Sequence, residues 1–97
     1  MVKIQFISPL QSMVGKSETL VNLPDGTDAL QAIKTAMKDD QKAYENIFNN
    51  DDTLKQYIIV MKNGINITMS RSLTEPLQNG DLIQLLPTVS GGQPSQQ

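Results

Sequence analysis

The feature of this chain with an evident chemical use is the pair Gly91-Gly92 near its end. The sequence contains no cysteine and no histidine, so a thiol nucleophile, the commonest general base and the commonest zinc ligands are all absent. Glycine has no Cβ, and a segment of two glycines can therefore pass through a narrow channel and present its carbonyl carbon to another protein. The sequence predicts a chain that partner enzymes act on, rather than an enzyme.

Five more residues follow the glycine pair, namely Gln93, Pro94, Ser95, Gln96 and Gln97. A reaction at the carboxylate of Gly92 therefore requires that this segment first be removed. The segment from Ser90 onward is small and polar, which is typical of disordered chain. We predict a folded domain over residues 1–90 and a flexible tail over residues 91–97.

The composition excludes several classes of function. The chain has 97 residues and a formal net charge of −2, and its lysines and single arginine are scattered, so a nucleic-acid interface is not predicted. No apolar stretch approaches the roughly 20 residues of a membrane span, and residues 1–6 alternate rather than forming a signal peptide. These features predict a soluble, cytoplasmic protein. Asp39-Asp40 and Asp51-Asp52 lack further ligands at a fitting spacing, so we interpret them as solvated charges and predict no metal site.

Hydrophobic periodicity predicts the elements that must position the glycine pair. Strands are predicted at about residues 2–6, 17–23, 57–61, 65–67 and 82–86. A main helix begins at Thr27 or Asp28, with Asp39-Asp40 at its frayed end, and a shorter helix covers about residues 41–48. Residues 9–16 are predicted to be a loop, residues 68–79 to be irregular, and Asn63-Gly64 to form a hairpin turn.

The order of these elements predicts an α+β fold. One amphipathic helix needs one face of a sheet to cover it, and the first and last strands are apolar enough to lie at the centre. The prediction is a mixed four- to five-stranded sheet packed on one main helix, which is the β-grasp or ubiquitin-like arrangement.

The C-terminal part of the chain resembles the ThiS/MoaD sulfur carriers. The matching segments are Leu77–Ile83, Leu85-Leu86-Pro87 and Val89-Ser90-Gly91-Gly92, with more generic matches at Asn63-Gly64 and Thr27–Ile33. Thr88 stands where many carriers have a second proline, and most carriers end at the second glycine. The tail Gln93–Gln97 resembles that of precursors which a zinc-dependent JAMM-type peptidase shortens.

The resemblance implies a co-substrate that binds no cofactor itself. An E1-like adenylyltransferase would use ATP and Mg²⁺ to adenylate the freed carboxylate of Gly92, and a sulfur donor would convert the adenylate to a thiocarboxylate. The thiocarboxylate would then deliver sulfur to an accepting enzyme in the biosynthesis of a cofactor or an amino acid. Leu73, Leu77 and Leu85 are candidate contacts with the activating partner, with a place in the core as the alternative. The free chain is expected to be a monomer.

Two other functions are compatible with the same sequence. Gly92 could form an isopeptide bond to a lysine, as in a ubiquitin-like protein modifier, because both routes begin with the same adenylate. Alternatively, the chain could keep its tail and serve as a β-grasp module for protein interaction. The mass and conjugation state of the protein in its host would separate these possibilities.

Overall fold

The structure, a computed structural model, describes residues 1–88. Its nine elements run in the order β1 (Val2–Phe6), α1 (Leu10–Val14), β2 (Glu18–Val21), α2 (Ala29–Ala36), α3 (Gln41–Ile47), β3 (Ile58–Lys62), β4 (Ile65–Asn66), a 3₁₀ turn (Arg71–Thr74) and β5 (Leu82–Pro87).

The five strands form one mixed sheet in the order β2-β1-β5-β3-β4. Strands β1 and β5 lie side by side in parallel, whereas β2, β3 and β4 pair antiparallel to their neighbours. The first and last strands are therefore central. Alternating apolar residues explain this position: Val2, Ile4 and Phe6 of β1 and Ile83 and Leu85 of β5 all face the core. The predicted β-grasp fold is confirmed.

Helix α2 covers the inner face of the sheet. Ala29, Ala32 and Ile33 are fully buried, which is the pattern of one apolar face at helical spacing. The helix begins at Asp28, whose carboxylate accepts a hydrogen bond from the backbone N–H of Gln31 at 2.9 Å. Of the two predicted starting residues, Asp28 is therefore the one that caps the helix.

The predicted loop at residues 9–16 is wrong, because α1 lies there. Leu10 and Val14 are one helical turn apart and both are buried. The helix ends at Gly15, which has a φ of 90°. Five residues are too few for a stable isolated helix, so burial of these two side chains explains the element.

The prediction that Asp40 belongs to the frayed end of α2 is also wrong. The Asp40 carboxylate accepts a hydrogen bond from the backbone N–H of Ala43 at 3.0 Å, and Asp40 is the N-cap of α3. Helices α2 and α3 are therefore separate elements, and the acidic residue before α3 marks a start rather than an end.

The turn Asn63-Gly64 joins β3 to β4, as predicted. Both residues have positive φ, 51° at Asn63 and 85° at Gly64, which suits a two-residue hairpin turn. The Asn63 side chain also accepts a hydrogen bond from the Leu82 N–H and donates one to an Asp81 carboxylate oxygen, each at 2.9 Å. The turn is thus bonded to the start of β5.

The carboxylate of Asp81 organises the same region. Its second oxygen accepts a hydrogen bond from the Gln78 N–H at 2.7 Å. Partial burial disfavours the charged carboxylate, but the bonds from Gln78 and Asn63 and the positive charge of Lys62 outweigh it and lower the pKa of Asp81. Asp81 therefore stabilises the fold as an anion.

Candidate functional site

The site begins where β5 leaves the sheet. Pro87, the last residue of β5, pairs with Ile58 at the start of β3. The N–H of Thr88 then donates a hydrogen bond to the carbonyl of Tyr57 at 2.7 Å. Ser90, Gly91, Gly92 and the segment Gln93–Gln97 lie outside the described residues, as does the predicted boundary between domain and tail.

Hydrogen bonds tie the surrounding elements to this end of β5. On one side, the N–H of Ile7 bonds to the carbonyl of Leu85 at 2.9 Å. On the other side, the Tyr57 hydroxyl donates to the Asn46 carbonyl at 2.9 Å. The Asn46 side-chain amide in turn donates to the Met13 carbonyl at 3.1 Å. These bonds hold the end of β1, helix α1, helix α3 and the start of β3 together.

The side chains at this end leave apolar surface uncovered. Ile7 is 38% exposed, Met13 is 42% exposed and Tyr57 is 37% exposed. We call Ile7, Met13 and Tyr57 the exit patch. The Tyr57 carbonyl is bonded to Thr88 and the Ile7 N–H to Leu85, and Met13 is linked to Tyr57 through Asn46.

One of the predicted docking residues does not fit the structure. Leu85 has no exposed surface, so the prediction that its side chain contacts a partner is wrong. Side chains alternate along a strand, and on β5 it is Gln84 and Leu86 that face away from the core, both half-buried. The apolar run of β5 conceals this alternation in the sequence.

The other two docking candidates lie away from the end of β5. Leu73, in the 3₁₀ turn, and Leu77 are half-buried and pack against the core. The N–H of Leu77 bonds to the carbonyl of Thr27 at 2.8 Å. Leu77 lies before the start of β5, and Thr88 follows its end. The strand has six residues and is therefore about 20 Å long.

The outer face of the sheet carries a polar row. The side-chain N–H of Gln84 donates to the side-chain oxygen Oε1 of Gln5 at 3.0 Å, and the side-chain N–H of Gln5 donates to Glu18 at 3.5 Å. Lys3 lies 3.7 Å from the other Glu18 oxygen. Leu20, which pairs with Lys3 across β1 and β2, is 58% exposed on this face.

The acidic pair Asp51-Asp52 makes local hydrogen bonds. Asp51 accepts bonds from the hydroxyl and the N–H of Thr53, at 2.6 Å and 3.2 Å. Asp52 accepts a hydrogen bond from the Tyr44 hydroxyl, and this bond, together with desolvation and the charge of Asp52, raises the pKa of Tyr44 to about 12. Among residues 1–88, no group of three or more acidic residues is placed to hold a metal ion.

A cavity of about 200 Å³ lies at the opposite end of the sheet from Thr88. Its walls include Leu23, Thr27, Leu77 and Asn79. This cavity is therefore far from the end of β5.

Comparison with known protein families identifies the family of this chain. A model of the ThiS family matches residues 4–92, which includes both glycines, the last three residues of β1 and all of β2 to β5. The chain belongs to the ThiS family. The match places it among the ubiquitin-like sulfur carriers and modifiers, which are generally not enzymes themselves.

Solved structures agree with the fold of this ThiS-family chain. SAMP1 from Haloferax volcanii has a TM-score of 0.79 and 23% identity, over 94% of this chain and 98% of that one. The small archaeal modifier protein 1 from Methanosarcina acetivorans has a TM-score of 0.77 and 25% identity, over 94% and 95%. A chain in the BexX/CysO complex of Amycolatopsis orientalis has a TM-score of 0.73 and 20% identity, over 95% and 100%.

Two negative findings accompany these matches. No curated protein matches this sequence. Within residues 1–88, no helix has the length and apolar character needed to cross a membrane.

The exit patch escaped the sequence predictions. Ile7 follows the alternating strand β1, and Tyr57 is counted as the first residue of the apolar run 57–61, so periodicity assigns neither side chain to a surface. Met13 lies in a segment predicted as a loop. The signal that could have found it was the i, i+4 pair Leu10 and Val14, which indicates a short helix and so an outward position for Met13.

Proposed function

We propose that this ThiS-family chain is a sulfur carrier whose active group is the carboxylate of Gly92. The observation that supports the proposal most directly is the family match over residues 4–92, which extends through Gly92 and ends there. The segment Gln93–Gln97 lies beyond the match, in keeping with a precursor that is shortened before use.

The chemistry proceeds in three steps. A peptidase of the JAMM type hydrolyses the Gly92–Gln93 peptide bond, and water supplies the new carboxylate oxygen. An E1-like adenylyltransferase then joins the carboxylate to the α-phosphorus of ATP, and pyrophosphate leaves. Sulfur supplied by a donor at the oxidation level of sulfide (HS⁻) attacks the acyl carbon, AMP leaves, the sulfur loses its proton, and the product is a thiocarboxylate at Gly92.

This chain contributes the glycine pair, which lacks side chains, and a folded domain that holds β5 in place. The last described residue, Thr88, is bonded to Tyr57, and β5 is held between β1 and β3. ATP and Mg²⁺ belong to the activating partner, and the final acceptor of the sulfur is a separate biosynthetic enzyme.

The test is the intact mass of the untagged protein purified from its own host. The expected species ends at Gly92 and has one oxygen replaced by sulfur, and alkylation shifts its mass. A Gly92→Val variant should lack this species, because a valine side chain does not fit a narrow partner channel that admits glycine. Ser95→Val, in the segment that is removed, is the matched control and should retain it. A wild-type protein that always ends at Gln97 would overturn the proposal.

A second function is supported by the structural similarity to SAMP1, which is named as a small archaeal modifier protein. In that case the adenylated Gly92 carboxylate is transferred to a lysine amine of a target protein. Conjugates that survive a denaturing gel and yield a branched peptide ending in Gly91-Gly92 would support the modifier function. A chain that keeps its tail and forms neither product would be an interaction module.

A further inference from the structure

We propose that two copies of this chain associate through the free edge of β2 (Glu18–Val21), with the two β2 strands antiparallel and Leu20 of one copy opposite Leu20 of the other. The two five-stranded sheets then become one continuous sheet. This inference goes beyond the proposed function and does not depend on it, because it concerns the folded domain and not the chemistry at Gly92.

The free edge of β2 carries unpaired backbone groups. β2 is the first strand in the sheet order β2-β1-β5-β3-β4, and within residues 1–88 no strand lies beyond it. The N–H of Phe6 on β1 donates to the carbonyl of Ser17 at 2.8 Å, and hydrogen bonding alternates along an antiparallel strand. The N–H and carbonyl groups of Glu18, Leu20 and Asn22 therefore point away from β1, where an added strand can bond to them.

The opposite edge of the sheet, β4, is less suited to pairing. It has two residues, Ile65–Asn66, and the Asn66 side chain accepts hydrogen bonds from the N–H and the hydroxyl of Thr68 at 3.0 Å and 2.8 Å. Natural edges are protected by short strands and by charged side chains. β2 is longer, and the carboxylate of its one charged residue, Glu18, lies 3.7 Å from the Lys3 ammonium. Of these two edges, β2 is therefore the one that is open to another strand.

A second copy fits this edge with its two-fold axis at Leu20. Two-fold symmetry requires that any pairing of residue i with residue j be repeated as j with i. With the axis at Leu20, this side chain, which is 58% exposed, lies beside its counterpart, and Glu18 lies opposite Asn22. Thr19 and Val21 then face each other on the other side of the strands, and such β-branched pairs stabilise a sheet.

The alternative registers are less favourable. An axis at Glu18 opposes two carboxylates, and an axis at Thr19 places the apolar Leu20 opposite the Glu18 carboxylate. An axis at Val21 brings Pro24, which has no N–H, opposite Glu18 and so removes a hydrogen bond. The axis at Leu20 therefore combines an apolar contact with a complete set of hydrogen bonds.

Helix α2 runs antiparallel to β2 along the same edge. The Lys16 ammonium, just before β2, donates to the carbonyl of Ala36 at the end of α2 at 3.5 Å. Towards the other end, Leu23 and Thr27 border one groove together with Gln31 of the helix. A strand added to β2 therefore also lies beside α2.

The two ends of this edge carry opposite charges. Lys16 and Lys34 lie where α2 ends, whereas Asp25 and Asp28 lie where α2 begins. A two-fold axis at Leu20 turns the second copy end for end, so the basic end of each copy meets the acidic end of the other. Complementary charges favour association and fix its register. This complementarity assigns the edge to a second copy of the chain.

The interface is small. An edge of this length makes about six backbone hydrogen bonds with its counterpart, and interfaces below about 1,200 Å² are weak and transient. The association therefore depends on the protein concentration. β1 separates β2 from β5, so the pairing leaves β5 and Thr88 free for a partner enzyme.

The experiment is sedimentation velocity of the full chain at concentrations between about 1 μM and about 1 mM. The sedimentation coefficient of the wild type should rise with concentration as dimers form. Leu20→Lys and Leu20→Glu each place two like charges opposite one another, so each variant alone should keep the monomer value. An equal mixture of the two variants should regain the rise, because an introduced ammonium then faces an introduced carboxylate.

Amide hydrogen exchange tests the same contact without a substitution. The N–H of Leu20 points towards the second copy, whereas Thr19 pairs with Ile4 within the sheet. At the highest concentration, exchange of the Leu20 N–H should be several-fold slower than in dilute protein, and exchange of the Thr19 N–H should be unchanged.

Ile65→Lys is the matched control, because Ile65 is 67% exposed on the opposite edge of the sheet. This variant should associate as the wild type does, and circular dichroism verifies that every variant is folded. A wild type that stays monomeric at every concentration would overturn the inference and leave the β2 edge to a strand of another protein. Loss of association in Ile65→Lys, or an equal mixture of the two Leu20 variants that stays monomeric, would also overturn it.

Discussion

Replacing Asn63 by alanine should destabilise the fold strongly, although the residue lies in an exposed turn. The Asn63 side chain makes two hydrogen bonds, to the Leu82 N–H and to the Asp81 carboxylate. Each contributes about 1 kcal/mol at a solvent-accessible position. Asn63 also has a φ of 51°, a left-handed conformation that costs alanine about 1 kcal/mol more than asparagine.

The sum predicts a loss of about 3 kcal/mol for Asn63→Ala, a large share of the roughly 5–15 kcal/mol available to a small domain. Asn63→Gly loses the same two hydrogen bonds but tolerates the positive φ. It should therefore be about 1 kcal/mol less destabilised than Asn63→Ala.

The assay is urea unfolding at pH 7, followed by circular dichroism. Asn50→Ala, at an exposed loop asparagine, is the control and should change the free energy of unfolding by less than about 0.5 kcal/mol. The reasoning is refuted if Asn63→Ala costs less than about 1 kcal/mol. It is also refuted if the glycine variant is the less stable of the two, since the conformational argument would then have the wrong sign.

Three further predictions concern pH, the core and a helix cap. Because the folded-state pKa of Asp81 lies below its ordinary value of 3.8, its stabilising effect is complete above that value and is lost as the pH falls through the folded-state pKa; acid unfolding curves of the wild type should show this loss, and those of Asp81→Asn should lack it. Leu85→Ala should cost about 2–5 kcal/mol in urea unfolding because it leaves a cavity, whereas Leu86→Ala, on the outer face, should cost clearly less; equal losses would mean that the strand faces are misassigned. Asp28→Ala should cost about 1 kcal/mol through loss of the α2 cap, and the exposed Asp25→Ala should be near neutral; a cap variant as stable as the control would contradict that role.

The sequence by itself determined the fold class and the central position of the first and last strands. The alternation of Val2, Ile4 and Phe6 and the turn Asn63-Gly64 depend on neighbouring residues only, because side-chain period and positive φ are local properties. The glycine pair Gly91-Gly92 was recognisable for the same reason, since its chemistry follows from the missing side chain and from its surroundings in the sequence.

The tertiary structure decided which face of each element is buried and which segments meet. The run that contains Leu85 and Leu86 is apolar throughout, so only the packing of β5 between β1 and β3 shows that Leu85 is buried. Helix α1 exists because Leu10 and Val14 find a core to enter, and a five-residue helix has no stability of its own. The exit patch brings together residues as distant in sequence as Ile7 and Tyr57, and no local pattern encodes that proximity.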